Sequence, residues 1–160
     1  MRLVVLLVVC AAAPLTSAAD PKPADPPKPV SVTDVRHEPA QPKPDAVVLV
    51  TAKLAEGFAK PVLNVQAVAP GKYIRKPDAE YEKDWTDLPM RDDGKEGDAK
   101  ANDGIFSVRV PASYQKHRWL IRYRIFATDK SGKAVRAPAD DACPNYAWWC
   151  DAGPAAWTGS

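Results

Sequence analysis

The sequence contains few of the residues from which catalytic and metal-binding sites are usually built. Two histidines, His37 and His117, and three cysteines occur among its 160 residues. The histidines stand outside any recognisable nucleophile motif, and there is no second cysteine pair of the kind that a zinc site requires. A P-loop, a kinase glycine-rich loop and an EF-hand pattern are also missing from the sequence. These absences predict a protein that is not an enzyme.

The sequence also lacks an excess of charge of one sign. Lys and Arg together number 22, and Asp and Glu number 20, which gives a formal net charge of +2. A near-neutral chain offers no extended surface that would neutralise phosphates. No nucleic-acid partner is therefore expected.

The N-terminal apolar run is too short to span a membrane. Leu3–Ala13 has about eleven residues, whereas a membrane-spanning helix needs about 20. The run follows a basic residue and precedes several small residues, a pattern typical of a signal peptide that is cleaved after Ala19. The sequence therefore predicts a signal peptide at residues 1–19 and a mature chain without a membrane span, either secreted or held in the cell envelope.

Two cysteines, Cys143 and Cys150, remain after removal of the predicted signal peptide. An even number of cysteines in an oxidising compartment favours a disulfide. Seven positions along a straight strand span about 23 Å, which is beyond the reach of a disulfide. The bond therefore requires a chain reversal, which Pro144-Asn145 could begin. Two separately buried thiols are the alternative.

Proline divides the sequence into regions. The stretch PKPADPPKP, Pro21–Pro29, favours an extended and solvated backbone, so residues 20–30 are predicted to form a semi-rigid linker. Residues 31–151 are then expected to form one domain of ordinary size. Residues 152–160 are left as a C-terminal tail or as the beginning of a linker to a further domain.

Helical periodicity is weak in the predicted domain, and alternation of apolar and polar residues with a period of two recurs. Strands are predicted for four segments with this pattern: Ser31–His37, Ala46–Leu54, Pro61–Ala69 and Gly104–Val110. The first is expected to be an edge strand that ends before Pro39. Short strands separated by Pro, Gly and Asp, without alternating helices, predict an all-β fold. The expected form is an antiparallel β-sandwich like that of immunoglobulin or fibronectin type III domains.

The clearest strand is RWLIRYRIFATD, Arg118–Asp129. Its apolar residues share one face: Trp119, Ile121, Tyr123, Ile125 and Ala127. The opposite face carries arginines and is expected to be solvated. A charge at Ile125 is therefore expected to cost several kcal/mol, whereas a change at Arg124 is expected to cost little. The polar residues and glycine of Asp129–Lys133 predict a hairpin turn.

The stretch MRDDGKEGDAKANDGIF, Met90–Phe106, concentrates carboxylates among glycines. Five of its side chains could supply oxygen ligands to calcium: Asp92, Asp93, Asp98, Asn102 and Asp103. Their spacing does not match an EF-hand, so the calcium hypothesis rests on composition. A catalytic carboxylate pair would need a desolvated cleft, which an exposed glycine-rich loop does not provide. The favoured interpretation is a compact loop whose Asp and Asn side chains accept backbone amide hydrogen bonds while its glycines take positive φ.

Three tryptophans near the C-terminus, Trp148, Trp149 and Trp157, raise the question of a second kind of site. Flat aromatic rings in a groove can stack on sugars, so these residues could bind an extracellular polysaccharide. The favoured alternative is that Trp148 and Trp149 lie on opposite faces of a terminal strand, with one of them in the core.

Longer stretches of the sequence resemble a known module. The resemblance is carried by the strings APGKYIRKPDAEYEKDWTDLPMRDDGKEGDAKANDGIFSVRVP, LIRYRIFATDKSGK and DDACPNYAWWCDAGPAAWTGS. They are similar to the immunoglobulin-like domain that precedes the kinase-like domain in secreted bacterial proteins of the spore-coat CotH family. The similarity covers roughly Val35–Ser160. Cys143 and Cys150 depart from the pattern of this module.

The resemblance implies an accessory role. The catalytic residues of the family belong to its kinase-like domain, so none is transferred to this chain. The expected function is that of a non-catalytic, exported β-sandwich that spaces, docks or supports a neighbouring domain or contacts another cell-envelope protein. A polysaccharide-binding module and a calcium-stabilised adhesion domain are the alternatives. The sequence fits either a fragment of a longer gene product or a complete small protein.

Overall fold

The computed structural model describes residues 31–139 and 145–154. The predicted signal peptide and the proline-rich linker lie outside the described residues. So do Cys143, Trp157 and the rest of the chain beyond Pro154.

Eight β-strands make up most of the regular structure in these ranges. They are β1 Val32–Glu38, β2 Val48–Leu54, β3 Phe58–Val68, β4 Thr86–Pro89, β5 Ile105–Val110, β6 Leu120–Asp129, β7 Ala134–Ala137 and β8 Tyr146–Trp149. All five segments with clear alternation are confirmed as strands. The four-residue strands β4 and β7 were not predicted, because so few residues do not show a period. Within the described ranges, no helix is long and apolar enough to cross a membrane.

The strands form two antiparallel sheets. The three-stranded sheet has the order β1-β2-β5, and the five-stranded sheet has the order β4-β3-β6-β7, with β8 also paired to β6. Strands β7 and β8 pair in succession along one edge of β6, β7 with Ile125–Thr128 and β8 with Leu120–Tyr123. The predicted all-β sandwich is therefore confirmed.

The core lies between the two sheets and follows from the alternation. In β2 the residues Val48, Val50, Ala52 and Leu54 are buried, and in β6 the buried set is Ile121, Tyr123, Ile125 and Ala127. The register of β3 on β6 pairs apolar residues on the inward face, as in Leu63 opposite Ile125. Each large side chain buried in this way contributes about 1.5–3 kcal/mol before conformational entropy is counted.

The outward face of β6 is not solvated, which corrects the expectation for Arg124. The exposed fraction is 9% for Arg124 and 7% for Arg122. The chain between β3 and β4 lies over this face, where Tyr73, Tyr81 and Trp85 contact the two guanidinium groups. Alternation along one strand shows which residues share a face, but it does not show whether another segment covers that face.

Candidate functional site

The acidic stretch forms a closed loop on the edge of the three-stranded sheet. The loop begins where Arg91 and Ser107 exchange two backbone hydrogen bonds, of 2.9 and 2.7 Å. The carboxylate of Asp92 then accepts hydrogen bonds from the amides of Gly104, at 2.9 Å, and Asp103, at 3.3 Å. One side chain therefore joins the two ends of the loop.

The other aspartates of the loop also accept backbone hydrogen bonds. Asp98 accepts one from the amide of Gly94 at 2.6 Å, and Asp93 accepts one from Lys95 at 3.0 Å. The carboxylate of Asp103 accepts one from the Ile105 amide at 2.9 Å. These bonds are those expected of a compact Asp-rich turn, in which side-chain oxygens replace missing backbone acceptors.

Three of the five predicted calcium ligands come together. Asp92, Asp98 and Asp103 each have one carboxylate oxygen within 4.8 Å of those of the other two, whereas Asp93 lies outside this group. Asn102 takes a positive φ of 60° at the turn that precedes Asp103. A calcium cage needs six to eight oxygens, so the three carboxylates provide part of a coordination sphere. Three close negative charges also repel one another, and a bound cation would relieve that repulsion.

The loop folds back against the sheet. A Cβ atom added to Gly97 would lie 2.6 Å from Cδ1 of Leu49, so a larger residue there would displace the Leu49 side chain of β2. Arg109 of β5 donates a hydrogen bond from Nε to the backbone oxygen of Glu96. These contacts fix the position of the loop on β2 and β5.

The described tryptophans do not form one aromatic surface. Trp148 is 3% exposed, and its Nε1 donates a hydrogen bond to Oε1 of Gln115 at 2.9 Å. Trp149 is 45% exposed on the other side of β8. This agrees with the favoured interpretation, in which the two residues point to opposite faces of a terminal strand and one lies in the core. Because the Trp148 ring is buried, the alternative of a sugar-binding groove that includes Trp148 is corrected.

Cys150 directly follows β8 and is buried. Burial raises the pKa of its thiol, and the nearby charge of Asp151 acts in the same direction. Its backbone pairs with residues just before β6, through bonds to Arg118 and Trp119. The pairing of Cys143 with Cys150 stays a prediction, since Cys143 lies outside the described residues.

Sequence reasoning missed a set of polar contacts on the outer face of the five-stranded sheet. Arg124 donates hydrogen bonds from Nε to Asn64 Oδ1 and from Nη2 to Glu82 Oε2, both at 2.7 Å. Its guanidinium carbon lies 4.0 Å from the centroid of the Trp85 ring. The sequence did contain a signal, since two central strands each carry polar residues at alternate positions. The structure places Asn64 and Gln66 of β3 directly opposite Arg124 and Arg122 of β6. Polar residues in register on two central strands indicate a buried hydrogen-bonding layer.

Arg122 has different surroundings on the same face. Its guanidinium carbon lies 5.9 Å from the ring centroid of Tyr73 and 5.5 Å from that of Tyr81. Its Nη2 donates a hydrogen bond to the backbone oxygen of Ile74 at 2.7 Å. A cavity of about 270 Å³ lies beside these residues and extends to Asn145.

The comparisons with known proteins add no family assignment. No protein-family model matches the chain, and no curated protein matches it.

Proposed function

We propose that the chain is a non-catalytic, exported β-sandwich module that spaces, docks or supports a neighbouring catalytic domain. The proposal rests on the resemblance to the domain that precedes the kinase-like domain in the CotH family. One observation supports the proposal: within the strings that resemble this domain, several residues make contacts that maintain the fold. Such contacts account for the shared strings without requiring a reaction at this domain.

The string MRDDGKEGDAKANDGIF illustrates this. Met90 is in the core, Asp92 joins the two ends of the loop, and Gly97 permits the close approach to Leu49. The string RYRI in β6 has the same character, since Tyr123 is buried between the sheets and Arg124 is bonded across the outer face. A structural contact explains each of the residues named here.

The order of the strands supports the finer assignment to an immunoglobulin-like or fibronectin type III-like fold. In such domains two antiparallel sheets pack face to face, and the chain crosses from one sheet to the other several times. Here β1, β2 and β5 belong to one sheet and β3, β4, β6, β7 and β8 to the other. The assignment suits a module that holds other domains of an exported protein apart.

The accessory role is tested by two measurements. The purified chain is incubated with ATP and magnesium, and the release of phosphate is followed. We expect no turnover above the buffer control, and turnover at a useful rate would refute the non-catalytic assignment. Sequencing the gene beyond codon 160 tests whether a catalytic domain adjoins this module. An in-frame kinase-like region there would support the accessory role.

A second candidate function is a calcium-stabilised domain. The specific observation in its favour is the group formed by Asp92, Asp98 and Asp103. A ligand that binds only the folded state raises the melting temperature with its concentration. The test compares the melting temperature in excess calcium with that in chelator, for the natural protein and for Asp98→Asn. A calcium-dependent rise that Asp98→Asn abolishes would support the candidate, whereas equal melting temperatures would remove it.

A further inference from the structure

Arg122 is a buried cation for which the described part of the chain supplies no carboxylate. It is 7% exposed. Its contacts are the hydrogen bond to the backbone oxygen of Ile74 and the two tyrosine rings. Its Nη1 is enclosed and has no hydrogen-bond partner among the described residues.

Such an arrangement is costly. A buried charge is ordinarily paired with an opposite charge, and an unmade hydrogen bond of a buried charged group costs more than that of a neutral one. The two tyrosine rings offset part of this cost through cation–π attraction. Arg124, two positions along the same face of β6, is paired with Glu82. Among the described residues, the same face therefore provides a carboxylate at Arg124 and none at Arg122.

The cavity beside Arg122 has the character of an anion site. Its volume is about 270 Å³, and Arg122, Tyr73, Tyr81, Lys76 and Asn145 contribute to its lining. The described residues that line it include the buried cation Arg122 and no carboxylate. Cavities for drug-sized ligands run from about 300 to 1,000 Å³, so this one suits a ligand no larger than a single sugar ring.

We propose that this cavity binds a small carboxylate-bearing ligand, and that uronic acids are the class that fits it best. The carboxylate would accept the hydrogen bonds that Arg122 leaves unused, and a guanidinium can bind a carboxylate through two parallel bonds. Tyr73 is 76% exposed. We expect its ring, whose centroid lies 5.9 Å from the guanidinium carbon of Arg122, to pack against the sugar ring. The site is independent of the accessory role proposed above.

The first test is a titration of the processed protein with sodium glucuronate, glucose and sodium acetate at one ionic strength. Binding is followed by calorimetry and by the NMR signal of the Arg122 side-chain N–H. We expect saturable binding of glucuronate that shifts this signal, weaker binding of acetate and no binding of glucose. Failure of both carboxylates to bind would overturn the proposal, as would equal binding of glucose and glucuronate.

Two further results would narrow or overturn the assignment of the ligand. If acetate binds as tightly as glucuronate, the carboxylate site stands and the assignment to uronic acids is wrong. A short Asp- and Glu-rich peptide forms a further arm of the titration. Tighter binding of this peptide than of glucuronate would overturn the small-ligand proposal in favour of an acidic protein partner.

Variants locate the site. We expect Arg122→Gln to weaken glucuronate binding roughly tenfold or more, the scale of a lost charge-assisted hydrogen bond. Tyr73→Ala, at an exposed position, should weaken it several-fold and leave the fold intact. Arg36→Gln removes the same charge from an exposed position on β1 and should leave binding unchanged. If Arg122→Gln does not fold, the site is tested by the NMR signal of Arg122 in the natural protein and by the titration of Tyr73→Ala. Unchanged glucuronate binding by Tyr73→Ala would count against the site.

Discussion

Arg122 and Arg124 lie two positions apart on the outward face of β6, and their surroundings determine what each contributes. The guanidinium of Arg124 is held by Asn64, Glu82 and the Trp85 ring. That of Arg122 is held by two tyrosine rings and one backbone oxygen. The same residue type therefore contributes to stability at one position and to a candidate site at the other.

Arg124→Gln should destabilise the protein by about 1.5–3 kcal/mol, the scale of lost hydrogen bonds to a charged group. The loss leaves the buried oxygen of Asn64 without its donor, whereas Glu82 is exposed and can be hydrated. Urea unfolding at neutral pH measures the change. The matched control is Arg36→Gln, an exposed position where a change within about 0.5 kcal/mol is expected. Equal effects of the two variants would mean that the contacts of Arg124 add no stability.

Asp129 is the residue that organises the turn between β6 and β7. Its Oδ1 accepts hydrogen bonds from the amide of Ser131 at 2.8 Å, the hydroxyl of Ser131 at 2.6 Å and the amide of Lys133 at 2.9 Å. The bond from the Ser131 hydroxyl, followed by that from the Lys133 amide, holds the pKa of the Asp129 carboxyl below its ordinary value. The ionised form therefore stabilises the folded state.

This lowered pKa predicts the direction of a pH effect. The contribution of Asp129 is fully present above its unfolded pKa of about 3.9 and is lost as the pH falls through the lower folded value. Asp129→Asn keeps an acceptor oxygen but not the charge. Its melting temperature should lie below that of the natural protein at pH 7, and the gap should close in acid. Ser131→Ala removes the leading cause of the lowered pKa of Asp129, so the stability of this variant should depend less on pH than that of the natural protein. If the difference in melting temperature between Asp129→Asn and the natural protein is the same at pH 7 and in acid, the assignment is contradicted.

Among the elements, the acidic loop shows what local chemistry can predict. Glycines and short polar side chains make a turn recognisable because they act on their own backbone. The predicted pattern of carboxylates that accept amide hydrogen bonds is present at Asp92, Asp98 and Asp103. The contact of the loop with Leu49 was not predictable, since Leu49 belongs to β2 and lies far away in the sequence.

Gly97→Ala should destabilise the protein more than Gly57→Ala. Both glycines have a positive φ, 108° and 92°, so both variants carry backbone strain. Only at Gly97 would the added Cβ meet a neighbour, Cδ1 of Leu49 at 2.6 Å. Because this atom is the end of a flexible side chain that can shift, we expect a difference of about 1 kcal/mol, the low end of the overpacking range. Urea unfolding measures the difference between the variants. Leu49→Ala in the Gly97→Ala background should recover part of it, and no recovery would show that the clash is not with Leu49.

At the scale of the whole molecule, a single apolar core joins the two sheets. Tyr123 and Trp148 lie in it with ring centroids 5.1 Å apart, and the His37 ring lies 5.1 Å from that of Trp148. These residues come from β6, β8 and β1, so the aromatic cluster connects both sheets. Packing that is shared in this way makes the sheets depend on each other.

The shared core predicts a single unfolding transition. Far-UV circular dichroism, which reports the strands, and tryptophan fluorescence, to which the buried Trp148 contributes, should have the same midpoint in urea. The folded spectrum should be that of a strand-rich protein. Two separate midpoints would mean that the sheets unfold independently, and a spectrum dominated by helix would contradict the fold.

The sequence by itself determined the strands with clear alternation, their inward faces and the two polar turns, because these depend on the period of side chains and on the conformations of neighbouring residues. Only the tertiary structure decided that residues of the β3–β4 connection cover the outward face of β6. It also decided that Trp148 rather than Trp149 lies in the core, and that Arg122 borders a cavity without a carboxylate among the described residues. These features depend on contacts between segments that are distant in the sequence, and alternation along one strand does not encode which segment will pack against it.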